Sequence, residues 1–133
     1  MEGSLNELAG YRMDRAKEML DAAKSNLEIG QYKTSLNRSY YAIFHAMRAA
    51  NILKGFDSSK HSGVIAFFNK EYLKENILDR NLSVIIKNSS FLREKSDYDD
   101  FYIASKKEAE KQLADADKFV CEVQRYLCDY IYK

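Results

Sequence analysis

No proline occurs anywhere in this chain, tryptophan is missing, glycine appears only five times, and there are just two cysteines. With so few residues that break backbone periodicity, long uninterrupted helices are the expected structure. No run of about eighteen apolar residues occurs, which excludes a membrane-spanning helix. The first residues, MEGSLNELAGYRMDR, lack the apolar stretch of an export signal and carry acids, so a cytoplasmic location is expected. Cys121 and Cys128 lie on one predicted helix, about 10 Å apart along its axis, too far for a disulfide between them. Neither a CxxC pair nor a metal-ligand spacing is present, so both are expected to be small, buried or half-buried thiols. A Gly-rich phosphate loop, a zinc site and a serine triad are missing too, and no cofactor is implied. Basic and acidic side chains nearly cancel, 21 against 20. Any nucleic-acid binding must therefore come from a local patch.

What is present suits a single helical domain spanning residues 1–133, with 46% hydrophobic residues to fill a core. Ten tyrosines point to surfaces that are apolar and hydrogen-bonding at once. A first helix is expected from Ser4, an N-cap with Glu7 three residues on, to Glu28, with Gly30 as its stop and Ala16, Met19, Leu20, Ala23 and Leu27 as its apolar stripe. A second runs from Tyr32 to Leu53, antiparallel to the first because the link is so short. A short third, Ser62 to Leu73, follows a polar loop that includes His61. The fourth is expected over Asp79 to Lys95, broken by the acids of Ser96-Asp97-Tyr98-Asp99-Asp100. The fifth begins at Ser105, capped with Glu108, and carries a heptad seam of Ala109, Leu113, Ala116, Val120, Val123, Leu127 and Tyr130. The fold class is thus all-α, an up-and-down four-helix bundle with one additional short helix.

The second helix organises the chain. Leu36, Tyr40, Ile43, Phe44 and Met47 form an apolar face, while Arg38, Tyr41, His45, Arg48 and Ile52 recur three and four apart beside it. Arg38 and His45 sit about 10 Å apart along the axis with Tyr41 between. An arginine to hold a phosphate, next to an imidazole to move a proton, is the minimum for metal-free phosphodiester chemistry. The alternative is that Arg38 pairs with an acid on a neighbouring helix and His45 is a satisfied interior histidine. On the fourth helix Arg93 falls close to the buried side, with Asp97 one turn on and Tyr98 next to it. These either hold a helix end through an ion pair or face the helix-two stripe across the bundle. Lys106, Lys107 and Lys111 read as a solvated face.

The blocks NRSYYAIFHAMRA, KHSGVIAFF, LREKSDYDD and KKEAEKQLADADKFV, in that order between about Ala16 and Leu127, resemble the HEPN-domain family, in its small stand-alone branch paired with minimal nucleotidyltransferases. The resemblance implies a helical bundle that commonly forms a homodimer, a nucleotidyltransferase-type partner protein, and, in many members, a metal-independent endoribonuclease acting as the toxin of a toxin–antitoxin pair. It also implies a catalytic arginine followed by a polar residue and a histidine. Arg93 through Tyr98 is the matching place, but Asp97 stands near the histidine position. Arg93, Asp97, Tyr98, Arg38 and His45 are accordingly the candidate catalytic residues, and Tyr41, Arg48 and His61 the candidate binding residues for RNA or a nucleotide. The competing reading is a non-catalytic adaptor that holds a nucleotide or substrate for the partner.

Overall fold

The computed structural model describes residues 2–132, and every regular element among them is helical. Four long helices, α1 (Glu2–Glu28), α2 (Tyr32–Ile52), α4 (Leu82–Tyr98) and α5 (Lys106–Ile131), run up and down. Between α2 and α4 lies the short α3 (His61–Phe68), continued by a wide π turn over Asn69–Leu73. The architecture is the expected all-α bundle with one additional short helix. Among the described residues no helix is long and apolar enough to cross a membrane.

The helix stops follow one chemistry. Gly30 and Gly55 both take a φ of +79°, and Asn76 takes +58°. At each, two backbone amides turn back onto the last carbonyls: Gln31 to Asn26, Phe56 to Asn51, and Ile77 to Tyr72 supply the longer bonds. This is the Schellman arrangement, which needs a left-handed residue at its turn. Gly30 was legible as such a stop. At the start of α5 the expected capping box is present, with the Glu108 amide donating to Ser105 Oγ at 3.0 Å and the Ser105 amide to Glu108 Oε1 at 3.2 Å.

Other boundaries differ from expectation. Since α1 begins at Glu2, Ser4 lies within the helix and does not cap it with Glu7. α4 starts at Leu82, not Asp79, because Asp79 Oδ1 accepts the Asn81 amide at 2.9 Å and makes a turn of its own. It also continues through Asp97 to Tyr98; the chain leaves the helix only where Asp99 Oδ1 takes the Phe101 amide.

α2 lies at the centre, packed on α1, α3, α4 and α5. Its contact with α1 is made by small residues. Ala9, Ala16 and Ala23, seven apart on α1 and fully buried, face a helix whose Ser35, Ser39, Ala42, Ala46 and Ala49 are also fully buried. Small side chains let two backbones approach closely, and Ser35 Oγ reaches across to donate to the Ala23 carbonyl at 2.8 Å. The larger Leu20 and Leu27 of the expected stripe are only partly buried, lining a groove toward α5. Along α5 the buried line is Ala109, Gln112, Ala116, Phe119, Val120, Val123 and Leu127. Leu113 is half-exposed and Tyr130 is 50% exposed, so the seam bends away from a strict heptad. The drift follows from 3.6 residues per turn in a straight helix. Cys121 and Cys128 are free and exposed on the outer side of α5, not buried as expected. Inside, Phe68 meets Phe119 at 5.5 Å, and the Tyr72 hydroxyl, carried inward by the π turn, donates to the Ala50 carbonyl.

Candidate functional site

Three segments converge on the N-terminal half of α2. Tyr40 is 1% exposed there, between Tyr41 and Phe44. After the Gly55 turn, the segment 53–60 returns the chain so that His61, the first residue of α3 and not a loop residue, meets Tyr40. Its Nδ1 lies 2.8 Å from the Tyr40 hydroxyl. The imidazole also stacks on Phe44 at 4.3 Å between ring centroids and meets the edge of Tyr41 at 5.7 Å. A hydroxyl donates and accepts, so this bond holds the ring in place in either tautomer. Burial pushes the Tyr40 pKa up to about 12, with Arg93 acting the other way. Burial, then the charge of Arg93, lowers that of His61, so the imidazole is neutral at neutral pH.

Arg93 arrives from α4, which runs antiparallel to α2. Its guanidinium carbon lies 5.2 Å from the Tyr40 ring centroid and 5.8 Å from that of Tyr41. Both are cation–π distances. The side chain is 18% exposed, and its Nε sits 3.5 Å from Asp97 Oδ2, the pair expected from the i,i+4 spacing. Burial opposes its charge, but Tyr41, Tyr40 and Asp97 outweigh that and raise its pKa. One turn further along, Asp97 and Ser96 share an open hollow of about 300 Å³ with Lys33, Thr34, Asn37 and Arg38. Arg38 itself donates to Asn37 Oδ1 and has no acid partner among the described residues. One flank therefore holds Arg38, Tyr41, His61, Arg93 and Asp97, with the largely enclosed guanidinium of Arg93 at its rim.

The C-terminal half of the same stripe belongs elsewhere. Arg48 donates to Asp57 Oδ1 at 2.8 Å and Arg12 of α1 to Asp57 Oδ2 at 2.8 Å. Burial works against the Asp57 charge, yet the bonds and charges of Arg48 and Arg12 hold its carboxyl below the usual range. His45 sits beside this group, its pKa lowered to about 4 by burial and by Arg15, Arg48 and Arg12. Arg93 and the His45–Arg48 pair thus lie at different lengths of the α2 stripe. The α4 end covers the first half of the stripe, and the middle of α1 covers the second. Tyr41 touches both sides, with its ring 6.3 Å from His45. Tyr98 is 77% exposed and, five residues on from Arg93, lies on another face of α4.

Sequence reasoning assigned Tyr40 to the core and gave Arg12 and Arg15 no role. The first is in the core by burial; only its hydroxyl, at the edge, meets His61. The adjacent pair Tyr40-Tyr41 was the available signal, since one of two consecutive helical aromatics must point off the core face.

Three comparisons bear on this arrangement. The family model described as HEPN domain matches residues 9–126. A protein of Thermotoga maritima named "UPF0332 protein" is 30% identical over 119 residues, covering 90% of this chain and 90% of that one. "Putative toxin MJ0605" of Methanocaldococcus jannaschii is 35% identical over 112 residues, covering 84% and 83%. Among solved structures, the crystal structure of TT1696 from Thermus thermophilus superposes with a TM-score of 0.74 at 19% identity, over 88% of this chain and 96% of that one. At that identity the likeness is one of fold.

Proposed function

Because the chain belongs to the HEPN domain family, we propose that it is a toxin-type member that binds RNA at the cluster of Tyr40, Tyr41, His61 and Arg93 and cleaves it without a metal. The observation that carries this is the meeting of a partly buried guanidinium and a neutral, anchored imidazole on one aromatic patch. The M. jannaschii relative's name supports the toxin role.

In the proposed reaction Arg93 holds the scissile phosphate and a base stacks on Tyr41. His61 Nε2 takes the 2′-hydroxyl proton while its Nδ1–H is donated to the Tyr40 oxygen. The 2′-oxygen attacks phosphorus, the bond to O5′ breaks, and the imidazolium returns the proton to O5′. A 2′,3′-cyclic phosphate and a 5′-hydroxyl result. In this scheme His61 takes the shuttle role first given to His45, because His45 lies with the other cluster.

The homodimer and the nucleotidyltransferase-type partner remain part of the proposal. Val84, Phe91 and Tyr98 stand seven apart on α4, 56%, 57% and 77% exposed, on the side of the helix away from Arg93. An exposed apolar line of that kind supports a protein contact on the outer face of α4. It also favours the second reading, an adaptor whose pocket presents a nucleotide to the partner. RNA cleavage in EDTA by the wild type, His61→Ala and Arg93→Ala separates the two. Cleavage by the wild type that drops at least about a hundredfold in both variants is expected. No cleavage of any RNA by the wild type leaves the adaptor, and equal rates in His61→Ala remove His61 from the chemistry.

A further inference from the structure

A second set of charged groups lies across Tyr41 from the pocket. Arg12 and Arg15 are one turn apart on α1, and His45 and Arg48 one turn apart on the antiparallel α2, so the four face each other. Arg12 and Arg48 are 15% and 16% exposed, too enclosed for ordinary solvated surface arginines. The acids among them are few and peripheral. Asp57, 37% exposed, belongs to the connecting segment, and Glu18, 59% exposed, pairs with Arg15 and acts weakly on His45. Two buried polar atoms in the cluster, His45 Nδ1 and Arg12 Nε, have no hydrogen-bond partner among the described residues. Buried polar atoms without a partner are uncommon, and each calls for one.

We propose that Arg12, Arg15, His45 and Arg48 form a binding site for a phosphate group, which the Asp57 carboxylate occupies in the free chain. The two Asp57 oxygens are gripped separately, one by Arg12 and one by Arg48. Two guanidiniums on two oxygens of one anion is an arrangement that a phosphate satisfies with oxygens to spare. A phosphate carries more charge than a carboxylate and can reach Arg15 and His45 as well. Asp57 can yield because it sits on an exposed connection between α2 and α3. Neutral His45 supplies an N–H donor without bringing a proton to be accounted for. Two sources carry such a group, a free nucleotide and an RNA strand.

The test is independent of RNA cleavage. Inorganic pyrophosphate is titrated at neutral pH while the ring C–H signals of the two histidines are followed by NMR, His45 being identified as the signal retained in His61→Asn. The His45 signal is expected to move. Calorimetry is expected to show affinity weakened about tenfold in Arg15→Gln, an exposed position whose loss does not strand Asp57. Asp57→Asn is expected to bind severalfold tighter. A stationary His45 signal, or equal affinity in wild type and Arg15→Gln, overturns the site; unchanged affinity in Asp57→Asn overturns its occupation by Asp57. Competition then assigns the source. ATP or a 5′-phosphorylated RNA displacing pyrophosphate from wild type supports the site, and failure of both overturns it.

Discussion

Acidification should expose the strain in His45. Its pKa falls from 6.5 to about 4 on folding, through burial first and the neighbouring Arg15, Arg48 and Arg12 next. Between those values the unfolded chain binds a proton that the folded chain refuses, so stability falls as pH falls. The contribution is fully present above about pH 6.5, is lost progressively toward about pH 4, and is constant below that. At about 1.36 kcal/mol per unit, the ceiling is about 3 kcal/mol. The ring is only half-buried, so solvent screening reduces the expected loss to about 1–2 kcal/mol. For a chain of this size that corresponds to about 3–5 °C in Tm for each kcal/mol. The assay is urea unfolding followed by circular dichroism from about pH 7.5 to about pH 4.5, in wild type and His45→Asn. His61 is shifted the same way and remains in the variant, so the difference between the two curves isolates His45. Two results would refute the reasoning: a wild type as stable at the acid end as at neutral pH, or an identical loss in His45→Asn.

Two further predictions concern the scaffold. Ser105→Ala removes the acceptor for the Glu108 amide and half of the capping box, and is expected to lower stability by about 1 kcal/mol in urea unfolding. Glu108 also accepts the Tyr102 hydroxyl at 3.0 Å, so the same variant should leave that bond in place. Ala16→Leu inserts a branched side chain into the fully buried seam between α1 and α2, and thermal unfolding should show a loss of at least about 1–3 kcal/mol. A neutral outcome there would mean that the two helices can separate without cost.

Helix number, order and phase were legible in the sequence because they rest on local rules. A missing proline, a Gly30 stop and the Ser105–Glu108 box act within a few residues of themselves. So does the rule that Arg38, Tyr41, His45 and Arg48 share a side of α2. Boundaries set by side chains were harder to read. Asp79 and Asp99 bend the backbone locally, whereas in the sequence the acids at 97–100 read together as one break.

The tertiary structure decided what the stripe does. Phase places its four functional groups on one side of a rod but does not say which neighbour covers which length of it. Because α4 runs antiparallel to α2, Arg93 and Asp97 meet the Arg38–Tyr41 end. Because α1 also runs antiparallel, Arg12 and Arg15 meet the His45–Arg48 end. His61 reached Tyr40 only because the connection after Gly55 folds back over α2, a closure between residues 21 positions apart. Side-chain periodicity is a property of one helix, while a pocket is a property of several, and their mutual register is set by packing across the whole core.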